Sequence, residues 1–125
     1  MAQPTRVLIA DDSARARDGL RALLTIRPEI EVVGEATNGQ DAVRLVAECR
    51  PDIVLMDLHM PVLDGIQATK LNKQQWPAVT IVVLTMYAVE KSAALAAGAD
   101  AFLIKGSAPD RLLAALGVDV LDGQP

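Results

Sequence analysis

The sequence predicts an α/β domain in which a parallel sheet carries helices on both faces. Two patterns predict it. Five short aliphatic runs, each too brief for a helix, alternate with five segments that carry helical spacing or helix caps. The clearest run, Ile53 to Met56, is apolar without polar relief, as in a central strand buried on both faces, and it ends at Asp57. Right-handed crossovers then bring the C-terminal ends of all strands to one rim, where open α/β sheets place their ligands.

Taken in order, Val7 to Ala10 form the first strand and stop at Asp11, Asp12 and Ser13. Ala16, Leu20, Leu23 and Leu24 then recur at helical spacing among Arg15, Arg17, Asp18 and Arg21, an amphipathic helix closed by Pro28. Glu31 to Ala36 is a more polar strand, expected near an edge. Asn38 and Gly39 cap a second helix whose Ala42, Val43, Leu45, Val46 and Cys49 face inward, and Pro51 ends it. After the central strand, Met60, Pro61, Asp64 and Gly65 make a tight loop into a third helix. That helix is assigned from its position between strands, because Thr69, Asn72, Lys73 and Trp76 stand where a core face calls for aliphatics.

Thr80 to Thr85 is a β-branched strand, and Val89 to Ala97 an Ala-rich helix with Gly98 as its C-cap. Ala101 to Ile104 is the fifth strand, ending at Lys105. Ser107, with Asp110 three residues on, reads as a capping-box-like start for a last helix containing Leu112, Leu113 and Leu116. The strand ends on the shared rim are thus Asp11 and Asp12, Asp57, Thr85 and Lys105.

Composition narrows the function classes. The chain has 125 residues, 51 % of them apolar but only 2 % aromatic, so one domain with an aliphatic core is expected. A net charge of −4 without a basic cluster disfavours direct nucleic-acid binding. No apolar run reaches the length of a membrane span, and the first residues lack the pattern of a signal peptide, so a cytoplasmic location is expected. The single cysteine, Cys49, excludes an internal disulfide and a cysteine-based metal cage.

Three carboxylates in one shallow site raise each other's pKa values unless a cation joins them. Oxygen-only ligation by few protein donors suits Mg²⁺. Asp57 is then the candidate nucleophile toward phosphorus, with the Lys105 ammonium and Thr85 hydroxyl neutralising the phosphoryl oxygens. Each residue also has a plainer reading. Asp11 and Asp12 could cap the first helix, Thr85 could be an ordinary strand residue and Lys105 a surface lysine.

The stretches VLIADDS, ATNGQDAV, DIVLMDLHMPVLDGIQAT, VVLTMY and GADAFLIK, in this order and spacing, carry a family resemblance. Along nearly its whole length the chain resembles the receiver domain of bacterial two-component response regulators. The likeness is greatest to receivers of the LuxR/NarL-type helix-turn-helix regulators. The resemblance implies a flavodoxin-like (βα)5 fold, with Asp57 accepting a phosphoryl group from a sensor histidine kinase. It also implies that Asp11, Asp12, Asp57 and the backbone carbonyl of His59 arrange Mg²⁺, and that Thr85 and Lys105 grip the phosphoryl group. Thr85 and Phe102 would be the switch pair that remodels the face made by the fourth helix, fifth strand and fifth helix. On this reading the chain is a signalling phosphoacceptor, catalysing only its own phosphotransfer and dephosphorylation, with transcription regulation the output of the full-length protein and a homodimer possible.

The chain departs from the family between Tyr87 and Gly98, where it is about two residues short and Ala88 and Val89 replace the usual acidic pair. Asn72 stands where a core leucine is common. Only 20 residues follow Lys105, too few for a DNA-binding module, so 1–125 is expected to be a single receiver domain with a poorly defined tail from about 117. It is either stand-alone or cut from a longer regulator.

Three rival functions share parts of this pattern. An aspartyl-intermediate phosphatase of the dehalogenase type places two Asp residues two apart after the first strand, whereas Asp11 and Asp12 are adjacent. A docking module that works unphosphorylated is favoured by the altered fourth helix. A flavodoxin-like cofactor binder is disfavoured because DDSARA replaces the phosphate loop.

Overall fold

A computed structural model describes residues 3–117. The expected ill-defined tail beyond Gly117 falls outside the described residues. The elements run β1 (Thr5–Ala10), α1 (Ala14–Thr25), β2 (Ile30–Ala36), α2 (Gly39–Cys49), β3 (Ile53–Asp57), α3 (Gly65–Gln75), β4 (Thr80–Thr85), α4 (Lys91–Ala96), β5 (Ala101–Ile104) and α5 (Pro109–Ala115). All strands are parallel, in the order β2-β1-β3-β4-β5. The (βα)5 expectation therefore holds, with the polar β2 at an edge as its composition predicts.

The period-2 alternation of side chains divides the core in two. Leu8, Val54, Met56, Ile81 and Val83 point toward α2, α3 and α4, where Ala42, Val46, Ala68 and Ala94 cover them. Val7, Ile9, Leu55, Val82 and Leu84 point the other way, toward Leu24 of α1 and Leu112 and Leu113 of α5. β3 is buried along its whole length, so its registers with β1 and β4 are fixed from both sides. That fixes where Asp57 emerges.

Helix starts follow local chemistry. The Ser13 hydroxyl accepts from Ala16 N–H, the Asn38 side chain from Asp41 N–H and the Asp64 carboxylate from Gln67 N–H. Gly65 is required because a Cβ there would lie 2.1 Å from the Asp57 carbonyl oxygen. The loop from Asp57 to Asp64 can fold back on the strand end only with glycine at that point.

Two expectations need correction. Ser107 does not cap α5: Gly106 takes φ +85° and Ser107 N–H bonds the Ile104 carbonyl at 3.1 Å. This extra turn moves the start of the helix to Ala108, which has no side-chain cap, with Pro109 in the first turn. The expected helix from Val89 to Ala97 opens as a one-turn 3-10 helix, Ala88–Glu90, and is α-helical only over Lys91–Ala96. Gly98 closes it with φ +108°, as read from the sequence. Trp76 follows α3 as its C-cap, packs half-buried against the core on that side of the sheet and lies under the Arg50 guanidinium, 3.6 Å from the ring centroid. Among the described residues no helix is long and apolar enough to cross a membrane.

Candidate functional site

The rim at the C-terminal ends of β1, β3, β4 and β5 gathers the residues singled out above. Asp11 and Asp57 are buried, at 2 % and 4 % exposure, and Asp12 is exposed. Asp11, Asp12 and Asp57 each offer a carboxylate oxygen within 4.8 Å of the others. Lys105 Nζ donates to Asp11 Oδ2 at 2.8 Å and stands 3.4 Å from Asp57 Oδ1. These four side chains, from three strands, therefore converge on one point.

The loop backbone supports the carboxylates. Asp11 Oδ1 accepts from Ser13 N–H at 2.9 Å, and Asp57 Oδ1 accepts from His59 N–H at 3.4 Å. Asp11 thus braces the turn into α1, while Ser13 rather than either aspartate caps that helix. The Arg17 guanidinium adds a bond to the Asp11 carbonyl at 2.7 Å.

Electrostatics distinguish the central carboxyl. Burial, with the like charge of Asp11, pushes the Asp57 carboxyl above its ordinary value, against the opposing pull of Lys105 and the His59 N–H. Burial alone would lower Lys105, but its bond to Asp11 and the charges of Asp57 and Asp11 outweigh that and raise it. Both partners of the Lys105–Asp57 pair move upward, Asp57 first through burial and then through Asp11, Lys105 because its ammonium faces two carboxylates. The site carries excess negative charge, the donor chemistry that a hard divalent cation satisfies. The residues present fit such an ion.

Thr85 is fully buried, and its hydroxyl donates to Glu90 Oε1 at 2.5 Å while accepting from Tyr87 N–H at 3.3 Å. Glu90 also holds the His59 imidazole, with Nε2 2.9 Å from Oε2. The His59 side chain is solvent-facing, as expected, yet it is engaged by this carboxylate and by the edge of Tyr87, 5.5 Å between ring centroids. Phe102 is half-buried against the core cluster on the α4 side of the sheet. Met86 and Tyr87 are exposed. Glu90 is the residue that sequence reasoning missed. Its only signal is an acidic side chain one short turn after Thr85.

Residues 7–117 match the family model described as the response regulator receiver domain. The chain belongs to this family. The uncharacterized transcriptional regulatory protein YhcZ of Bacillus subtilis is 46 % identical over 110 residues, covering 86 % of this chain and 51 % of that protein. The crystal structure of a LuxR-family two-component response regulator from Aurantimonas sp. superposes with a TM-score of 0.86 at 37 % identity, covering 92 % of this chain and 84 % of that one. The isolated REC domain of RcsB from Salmonella enterica, solved in the presence of phosphomimetic BeF3-, gives 0.83 at 29 %, covering 98 % and 91 %. The receiver chain spans about half the length of the curated relatives it matches.

Proposed function

We propose that this receiver domain accepts a phosphoryl group on Asp57 from a sensor histidine kinase and uses it to reset the surface beyond β4 and β5. The observation that carries the reading is the convergence of the Asp57 carboxylate, the Asp11 and Asp12 carboxylates and the Lys105 ammonium at one strand rim. An Asp57 oxygen forms the new bond to phosphorus as the bond from phosphorus to the donor imidazole nitrogen breaks, and the imidazole, already protonated on its other ring nitrogen, takes that electron pair and leaves neutral. Asp57 is suited to this because a rigid strand holds it and burial excludes competing water. Lys105, already between Asp11 and Asp57, takes up charge on the phosphoryl oxygens.

Asp11, Asp12, Asp57 and the His59 carbonyl would hold Mg²⁺, which when bound supplies charge neutralisation to phosphoryl oxygens. Slow self-hydrolysis of the resulting acyl phosphate would reset the domain. In the full-length protein, transcription regulation through an attached output domain is the natural destination of the signal, as the names of the relatives suggest for those proteins.

The test is incubation with Mg²⁺ and acetyl phosphate, read by intact mass. A gain of one phosphoryl group, absent in Asp57→Asn, is expected. No gain under these conditions, or an equal gain in the variant, would overturn the assignment. Rapid multiple turnover of a generic phosphate ester would instead favour a phosphatase.

A further inference from the structure

We infer that Glu90 is a latch on Thr85 that opposes the phosphorylated state. The inference rests on the phosphoacceptor reading and adds the carboxylate of Glu90 to it. A threonine hydroxyl has one proton to give. Here it is given to Glu90 Oε1 at 2.5 Å, and the hydroxyl oxygen is itself occupied by Tyr87 N–H. A phosphoryl oxygen on Asp57 would need that same proton, so the two bonds exclude each other. The carboxylate also sets a negative charge against the hydroxyl that is to meet an anion.

The placement of Glu90 follows from the turn after β4. The one-turn helix Ala88–Glu90 brings the side chain back over the strand end, where it is only about a quarter exposed. Glu90 stands at the N-cap position of α4 yet makes no side-chain cap bond to that helix. Its two oxygens go to Thr85 and His59 instead. These bonds, from Thr85 above all, hold the Glu90 carboxyl below its ordinary value even though burial acts to raise it. The carboxylate therefore serves the site rather than the helix. Through His59, whose N–H touches Asp57, the latch also reaches the loop that carries the acceptor.

The predicted consequence is a shifted equilibrium. A ligand that needs Thr85 turned inward pays for release of Glu90, and its apparent affinity falls by the fraction of molecules in which the hydroxyl is free. Beryllofluoride, a mimic of the phosphoryl group, reads this directly by calorimetric titration of the domain in Mg²⁺. Glu90→Ala should bind it about three- to tenfold more tightly, the scale of a hydrogen bond to a charged acceptor that is partly solvated. Glu90→Gln, which keeps an acceptor but not the charge, should fall between Glu90→Ala and the parent. In a Thr85→Val background, itself weaker, Glu90→Ala should lose most of its effect.

Unchanged or weaker binding in both folded Glu90 variants would overturn the latch, as would an undiminished gain in the Thr85→Val background, which would reduce Glu90 to a simple charge. Absence of beryllofluoride binding by the parent, with no phosphoryl gain from acetyl phosphate, would instead remove the phosphoacceptor reading, and the latch with it. Binding by the parent without a Glu90 effect removes the latch alone.

Discussion

The rim around Asp57 and the flank that follows it, α3 with the β4–α4 connection, are held by different forces. The rim stands on strand ends whose registers are set by aliphatic side chains packed on both faces of the sheet. The flank offers the core Thr69 and Asn72, both fully buried, where α2 offers Ala42 and Val46. Its α4 is six residues long, with Leu95 and the neighbouring Val89 substantially exposed. On the proposed reading, the acceptor carboxylate stands on the densely packed region and the switch hydroxyl of Thr85 against the sparsely packed one, a division that suits holding one group still while another changes partners.

The largest test of the contrast is truncation of one leucine in each region. Leu55, 1 % exposed in the centre of β3, should cost about 3 to 4 kcal/mol on replacement by alanine. Leu95→Ala, at 44 % exposure in α4, should cost less than about 0.5 kcal/mol. Urea midpoints at constant slope measure both. Comparable losses would mean that the two regions share one well-packed core.

The second test sharpens the account of the flank and has the opposite sign. Asn72 is fully buried, and neither its amide nitrogen nor its amide oxygen has a partner; the Thr69 hydroxyl one turn earlier is in the same position. An unpaired buried amide loses its hydration without compensation. Asn72→Leu should therefore stabilise the domain by about 1 to 2 kcal/mol, the larger side chain offsetting part of the gain through crowding. A loss of stability would show that bound water satisfies the amide and that the flank is held by polar contacts.

How far each region could be read from the sequence follows the same line. All five strands lie where aliphatic runs place them; for β1, β3 and β4 the reason is that a run buried on both faces has few alternatives. The convergence of Asp11, Asp57 and Lys105 follows from strand direction alone. The misread features are local turns. Ser107 has the composition of a cap, but Gly106 adds a turn before the helix. The start of α4 is lost to a 3-10 turn that no periodicity marks. Glu90 was illegible because its partners are a hydroxyl five residues back and an imidazole 31 residues back, joined only by the folded loop. Helix α3 was identified by position, and its polar face is a property of the packing that a pattern based on aliphatics is bound to underrate.

The smallest expected effect tests whether the rim is at rest when no cation is present. Asp57 has its carboxyl raised by burial and by Asp11, so the folded state binds its proton more tightly than the unfolded chain does. With more protons bound in the native state, stability falls as pH rises from the ordinary carboxylate value of 3.8 through the raised one. Above that window the ionised Asp57 is a net cost in metal-free buffer, despite Lys105 at 3.4 Å. Asp57→Asn should then raise the metal-free Tm at pH 7 by about 2 to 4 °C. The gain should disappear below the ordinary carboxylate value, where the parent is already neutral at this position. Adding Mg²⁺ should narrow the difference by stabilising the parent more than the variant, since binding to the native state alone adds stability in proportion to its saturation. A lower Tm for the metal-free variant at pH 7 would mean that the Lys105 pairing outweighs burial and Asp11, and that the rim, too, is held by charge rather than by the strands beneath it.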